Sequence, residues 1–221
     1  VLCEHSHGST GICGPLYLDG GVWGKEWDNH MFVCNPVTSR INHDIIEFTG
    51  ATPRAVEQPD FISTSDLWFR PVDVRMSPDG ALYIADFYNR IIGHYEVPLD
   101  HPQRDRERGR IWRVVYTGKG AGDATMVNVA AADGPALLKL LGHDNLVVRT
   151  LATNRIAAEP ELVAVKDLSY LLATAVDGQS FPARVHALWI LERIGKLSDE
   201  QLFAAMDDAD RALRVHALKV L

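Results

Sequence analysis

The apolar residues of this chain change period near residue 117, and no single packed layer can satisfy both periods. Before that point they come in strand-length runs bounded by turn residues. These runs are Leu16-Tyr17-Leu18, Met31-Phe32-Val33, Ile45-Ile46, Val72-Asp73-Val74, Ala81-Leu82-Tyr83-Ile84 and Ile111-Trp112-Arg113-Val114-Val115. From about Pro135 the spacing is helical: Ala187, Ile190, Leu191 and Ile194 fall at i, i+3, i+4 and i+7, one helix face. The chain therefore reads as a β region over 1–116, a Gly-rich linker over 117–134 and a helical region over 135–221.

Each region carries a second pattern. Regularly spaced short strands suggest a sandwich, barrel or propeller. Ser77-Pro78-Asp79-Gly80 is a tight turn, because Pro presets φ and Gly accepts a positive φ. In the helical region, Val148-Arg149-Thr150-Leu151-Ala152 lines up with Arg184-Val185-His186-Ala187-Leu188 and with Arg214-Val215-His216-Ala217-Leu218. The Arg-to-Arg offsets are 35 and 30 residues. Partner helices are expected at Leu168–Val176 and Asp199–Met206, the latter opened by a capping box of Ser198 and Gln201. Two helices per repeat of this length make an α-solenoid, and the pattern resembles HEAT repeats, truncated after Leu221.

Composition excludes several classes. The net charge of −7 comes with no uninterrupted basic run, which argues against nucleic acid. No apolar run approaches the ~20 residues of a membrane span. Cys3, Cys13 and Cys34 form neither a Cys-x-x-Cys nor a haem-attachment motif. Gly118-Lys119-Gly120 lacks the spacing of a phosphate-binding loop. The chain starts at Val1 and stops within a repeat, which reads as a piece of a longer protein.

Arg70-Pro71-Val72-Asp73-Val74, then Ser77 to Asp86, then Gly109-Arg110-Ile111-Trp112-Arg113-Val114 look like the closing blade of a β-propeller. The pattern is similar to the soluble glucose/sorbosone dehydrogenases and, more loosely, to NHL blades. It most resembles the PVC-type "membrane-bound dehydrogenase" domain proteins of planctomycetes and verrucomicrobia. Asn35 to Asp44 and Asp86 to Pro98 carry that likeness. It implies about two antiparallel blades, residues 10–65 and 68–116, followed by HEAT-like repeats. A c-type haem domain lies, in that family, outside this segment. The last blade shows three strands, so an unpaired edge is expected there.

The resemblance also implies a cofactor, pyrroloquinoline quinone with Ca²⁺. Arg70 stands where the dehydrogenase family has an arginine that pairs with a quinone carboxylate, a task suited to a bidentate, always-charged group. The family's second arginine falls at Val72. Its lysine falls near Thr38-Ser39-Arg40, where Arg40 is the available cation. Asp86 is the remaining cofactor-side candidate. The plain alternatives are a salt bridge of Arg70 with Asp73 or Asp86, Asx turns at Asp86 and Asn89, and pairing of Arg90 with Asp86. His94 completes that polar crowd.

Other clusters have their own alternatives. Cys3, His5 and His7 alternate and would share one strand face, where zinc or copper ligation lacks an obvious fourth ligand. His7 is also a candidate general base, although the sequence identifies no catalytic residue. Asn42-His43-Asp44 reads as a polar rim or a turn. Arg104 to Arg110, alternating with Asp105 and Glu107, reads as a solvated salt-bridged loop. His186 and His216 occupy equivalent repeat positions, which argues for packing.

Two functions follow from the resemblance and the site. One is a periplasmic or cell-surface dehydrogenase that oxidises a sugar or polyol with the quinone and passes electrons to a cytochrome. The other is a non-catalytic propeller-plus-HEAT scaffold that binds a glycan or a protein partner.

Overall fold

Seven strands in two antiparallel sheets build the first part of the chain, and six helices build the second, among the residues described in the computed structural model. Those residues are 6–9, 11–18, 23–50, 52–93, 96–119, 121, 125–174 and 181–221. Cys3, His5 and His94, named above, lie outside them. The chain divides into two units, residues 1–124 and 125–221.

In the first unit, one sheet runs in the order β1 (Cys13–Leu18), β2 (His30–Asn35), β3 (Arg40–Thr49) and β4 (Thr52–Ser63). The other runs β5 (Pro71–Met76), β6 (Leu82–Asp86) and β7 (Arg110–Val114). Neither sheet closes on itself. β5 lies alongside β1 and β2, and Leu18, Phe32, Cys34, Ile41, Val74, Leu82 and Ile84 form the fully buried centre. All six apolar runs of the sequence lie in or overlap strands.

β4 is the strand that the sequence reading lacks. Its 12 residues include Pro53 and Pro59, which cannot donate to a ladder. They are tolerated because β4 is the outer strand of its sheet, with one side free of ladder bonds among the described residues. At the other sheet, β7 pairs only with β6 among the described residues, and Ile111 and Trp112 are exposed along it. This is the open edge expected from the three-strand count.

The turn between β5 and β6 forms as its residues predict. Gly80 has φ +77° and its N–H donates to the Ser77 carbonyl at 2.9 Å. The Asp79 carboxylate accepts from Ala81 N at 3.0 Å and from Arg113 Nη2 at 2.6 Å, so it also fastens β7 to the turn.

The second unit holds α1 (Gly134–Leu140), α2 (Leu146–Ala158), α3 (Val165–Ala173), α4 (Phe181–Arg193), α5 (Asp199–Met206) and α6 (Arg211–Val220). α3 begins three residues before the expected partner helix, and the end of that expectation, at Val176, lies outside the described residues. α5 has the expected bounds, and its Ser198–Gln201 capping box has both reciprocal bonds. Ala187, Ile190 and Leu191 are fully buried, and Ile194 packs against the same core. The segment 117–134 is not all linker: Val129–Ala131 makes a short 3-10 turn, and Val129 is buried in the helical core.

The arginines of the aligned segments repeat in three dimensions. Arg149 Nη1 donates to the carbonyls of His143 and Asp144, at 2.6 and 2.9 Å. Arg214 Nη1 donates to Asp208 and Ala209, at 2.6 and 3.0 Å. Both fasten the loop that leads into their own helix, six and five residues back. Asn145 and Asp210 cap those same helices. Arg184 instead ties neighbouring elements, donating to the Leu172 carbonyl and to the Asp208 carboxylate. The histidines repeat too: His186 Nδ1 meets Thr153 Oγ1 at 2.7 Å, and Trp189 Nε1 donates to His216 Nδ1 at 3.0 Å.

Candidate functional site

Arg70 sits one residue before β5, between two turns. Its side chain reaches across from one sheet to the other. Nη1 donates to the carbonyls of Pro36 and Val37 and to Ser39 Oγ, at 2.6, 3.1 and 3.1 Å. Nε donates to the Asn89 carbonyl and Nη2 to the Arg90 carbonyl, both at 2.9 Å. The residue is 7% exposed. Burial pulls its pKa below the usual arginine range, opposed by the charges of Asp66 and Asp86.

The two turns explain the need for such a clamp. Ser39 has φ +56° and Tyr88 φ +51°, in the left-handed region that side chains with a Cβ disfavour. The carbonyls of residues 36–37 and 89–90 turn inward there, away from any ladder partner. A guanidinium offers five N–H groups in one plane and can serve both turns at once. Arg70 thus ends on backbone oxygens, and the salt bridge expected with Asp73 or Asp86 does not form.

Asp86, at the end of β6, is equally engaged. Oδ1 accepts from Arg70 N and Tyr88 N, at 2.8 and 2.9 Å. Oδ2 accepts from Arg110 Nε and Trp112 Nε1, at 2.7 and 3.0 Å. Four bonds fill the acceptor sites of a carboxylate. The Tyr88 contact is the expected Asx turn, and Asn89 makes the same turn with Ile91 N at 3.3 Å. The cation on Asp86 is Arg110, not Arg90: Arg110 also binds Asp66 at 3.1 Å and lies over the Tyr88 ring at 4.2 Å. Sequence reasoning had set Arg110 in a solvated loop. In that loop only Arg108 makes the expected kind of pair, with Asp105, while Arg104 and Arg106 donate to backbone carbonyls.

Arg40 opens β3 directly after Ser39 of the clamp, but its side chain makes an ion pair of its own. Its side chain is 52% exposed and pairs with Asp60 at 2.9 Å. Asp60 also accepts from Asn42 Nδ2 at 2.7 Å, and Asn42 in turn accepts from Asn35. Asn42, His43 and Asp44 therefore lie inside β3, not in a turn or rim. Asp44 is buried and meets His7 Nε2 at 3.0 Å.

On the opposite face of β3, His43 Nε2 lies 2.8 Å from His30 Nδ1. Trp27 stacks over His43, with Phe32 and Phe61 beside it. Burial lowers the pKa of both imidazoles; for His30 the Asp28 charge and the backbone at Glu26 oppose it, and for His43 the His30 charge adds to it while the backbone at Pro59 and the Asp44 charge oppose it. The lowered values favour the neutral imidazoles, in which one ring can donate to the other. The pair carried no sequence signal, because the two histidines are 13 residues apart and only the register of β2 on β3 joins them.

An apolar cavity of about 240 Å³ opens between β4 and the second sheet, lined by Ile62, Phe69, Ile84, Trp112 and Val114, with Thr64 and Asp66 at its polar side. The Asp66 pKa is held below the usual carboxylate range, first by the N–H of Trp68 and then by Arg110. No group of three or more His, Cys, Asp or Glu side chains among the described residues is arranged to hold a metal ion. No described helix is long and apolar enough to cross a membrane.

A family model described as a domain of unknown function, DUF7133, matches residues 2–118. No curated protein and no solved structure matches the chain. The matched segment covers both sheets and all the residues of the clamp, and the chain belongs to the DUF7133 family.

Proposed function

We propose that the chain is part of a binding scaffold, in which two propeller-like blades precede HEAT-like helical repeats and recognise a glycan or a protein. The observation that carries this reading is the engagement of Arg70 and Asp86. Nε, Nη1 and Nη2 of the arginine all serve backbone or hydroxyl oxygens, and each oxygen of the Asp86 carboxylate accepts two hydrogen bonds. A quinone carboxylate would have to displace those bonds and leave inward carbonyls unpaired, at about 1–3 kcal/mol each. The two groups do not fit the cofactor they resemble ligands for.

The blade reading is supported by two successive antiparallel meanders whose first strands, β1 and β5, lie side by side. The solenoid reading is supported by the matched loop clamps of Arg149 and Arg214. Kinship with the PVC-type proteins and a periplasmic or cell-surface location belong to the same proposal.

One observation favours the second reading, a quinone- and Ca²⁺-dependent sugar or polyol dehydrogenase that hands electrons to a cytochrome. Arg40 keeps an exposed guanidinium at the place of the family's lysine. Titration of pyrroloquinoline quinone with Ca²⁺ into the protein separates the two. The scaffold reading expects no saturable binding by folded protein. Saturable binding that Arg40→Ala weakens tenfold or more would return the dehydrogenase.

A further inference from the structure

We propose that Cys13 and Cys34 are the two halves of a cross-strand disulfide joining β1 to β2. The register places them as direct partners in an antiparallel pair. Direct partners of such a pair have Cα atoms about 4.5–5.5 Å apart, inside the range of about 4.4–6.8 Å that a disulfide spans.

Their facing each other is built, not automatic. Leu16 pairs with Phe32, Tyr17 with Met31 and Leu18 with His30. Continued without interruption, that register would put Gly14 opposite Cys34. A bulge between Cys13 and Leu16 sets two residues of β1 against Val33 alone and brings Cys13 opposite Cys34 instead. Gly14 makes the bulge: its φ is +53°, and a Cβ there would lie 2.5 Å from the Asp73 Cα and 2.7 Å from the Val72 carbonyl oxygen. The close approach of β5 thus leaves room only for glycine at the bulge that sets Cys13 opposite Cys34.

The environment orders the chemistry. Both are free thiols in the structure, Cys13 half-buried and Cys34 buried. Burial pushes the Cys34 thiol up to about 12, with the Cys13 and Asp73 charges adding to it; Cys13 is raised by burial and then by Asp73. Cys13 is therefore the sulfur that an oxidant meets. Its thiolate attacks a small-molecule disulfide such as glutathione disulfide, forms a mixed disulfide and expels one thiolate. Cys34 then loses its proton, attacks the Cys13 sulfur and expels the second thiolate. Two protein thiols are oxidised, one external disulfide is reduced to two thiols, and the two protons leave with them.

The test uses the whole chain, purified reduced, as wild type and as Cys3→Ser. Each is incubated folded with glutathione disulfide at pH 8, quenched with N-ethylmaleimide and digested without reduction. The expected result is a peptide joining Cys13 to Cys34 in both proteins, Cys3 alkylated in the wild type, and no free thiol in Cys3→Ser. Oxidised protein should also melt several degrees higher, and dithiothreitol should reverse the gain. Two alkylated thiols in oxidised Cys3→Ser, or a wild-type linkage that runs through Cys3, would overturn the proposal.

Discussion

Replacing Asp86 by Asn keeps the side chain's shape and removes the charge that Arg110 and two backbone N–H groups share. The amide can satisfy only part of the four bonds, so Asp86→Asn should lose about 2–4 kcal/mol in urea unfolding, without any ligand present. His186 gives a pH signature. Its folded pKa is lowered from 6.5 to about 4, by burial first and then by Arg149 and His216. The unfolded chain therefore binds the proton more readily, and stability falls as pH drops from about 6.5 towards 4. The loss should reach at most about 3 kcal/mol and be flattened in His186→Gln, as read from urea midpoints at pH 7 and pH 4.5. At this scale the sequence showed which residues crowd together but not what they touch. Arg70 stood out in the sequence by its place before a strand, where the resemblance implies a cation on the cofactor side. That its partners are carbonyls of residues 36, 37, 89 and 90 depends on two positive-φ turns that residue types such as Ser39 and Tyr88 do not announce.

Elements divide by how their patterns are carried. β5, β6 and the turn between them were legible, because the Pro-Asp-Gly chemistry and the apolar runs agree with the final fold. The helices of the second unit were legible for the same reason, down to the capping box at Ser198. β4 was not, because two prolines and three charged residues hide a 12-residue strand whose outer edge needs no N–H. The bulge in β1 was hidden as well. It predicts that Gly14→Ala costs about 2–3 kcal/mol, from a disfavoured φ and a clash with the backbone of β5, while Gly50→Ala, whose added Cβ meets nothing, costs less. Comparing the two variants by thermal unfolding separates the clash from the φ penalty, since both glycines have positive φ.

Over the whole molecule, the polar crowd of the first unit holds architecture together. Arg70 ties the turn of one sheet to the loop of the other, Asp86 fixes β7 through Arg110 and Trp112, and Trp23 Nε1 donates to the Gly80 carbonyl at 2.8 Å across the same seam. The second unit has a separate core, running from Val129 to Ala217 and drawing on no residue of the sheets. A polypeptide of residues 125–221 should therefore show helical circular dichroism and a cooperative melt by itself. A featureless, gradual melt would mean that its core is insufficient alone. The central claim, that Arg70 is a clamp between the turns of the two sheets, is tested most directly by equilibrium urea unfolding of Arg70→Ala and Arg70→Lys with no ligand added. The account predicts a loss of about 3 kcal/mol or more for Ala, only slightly relieved by Lys, whose compact ammonium cannot span both turns. Stability within about 0.5 kcal/mol of wild type, the range of an ordinary surface substitution, would contradict it.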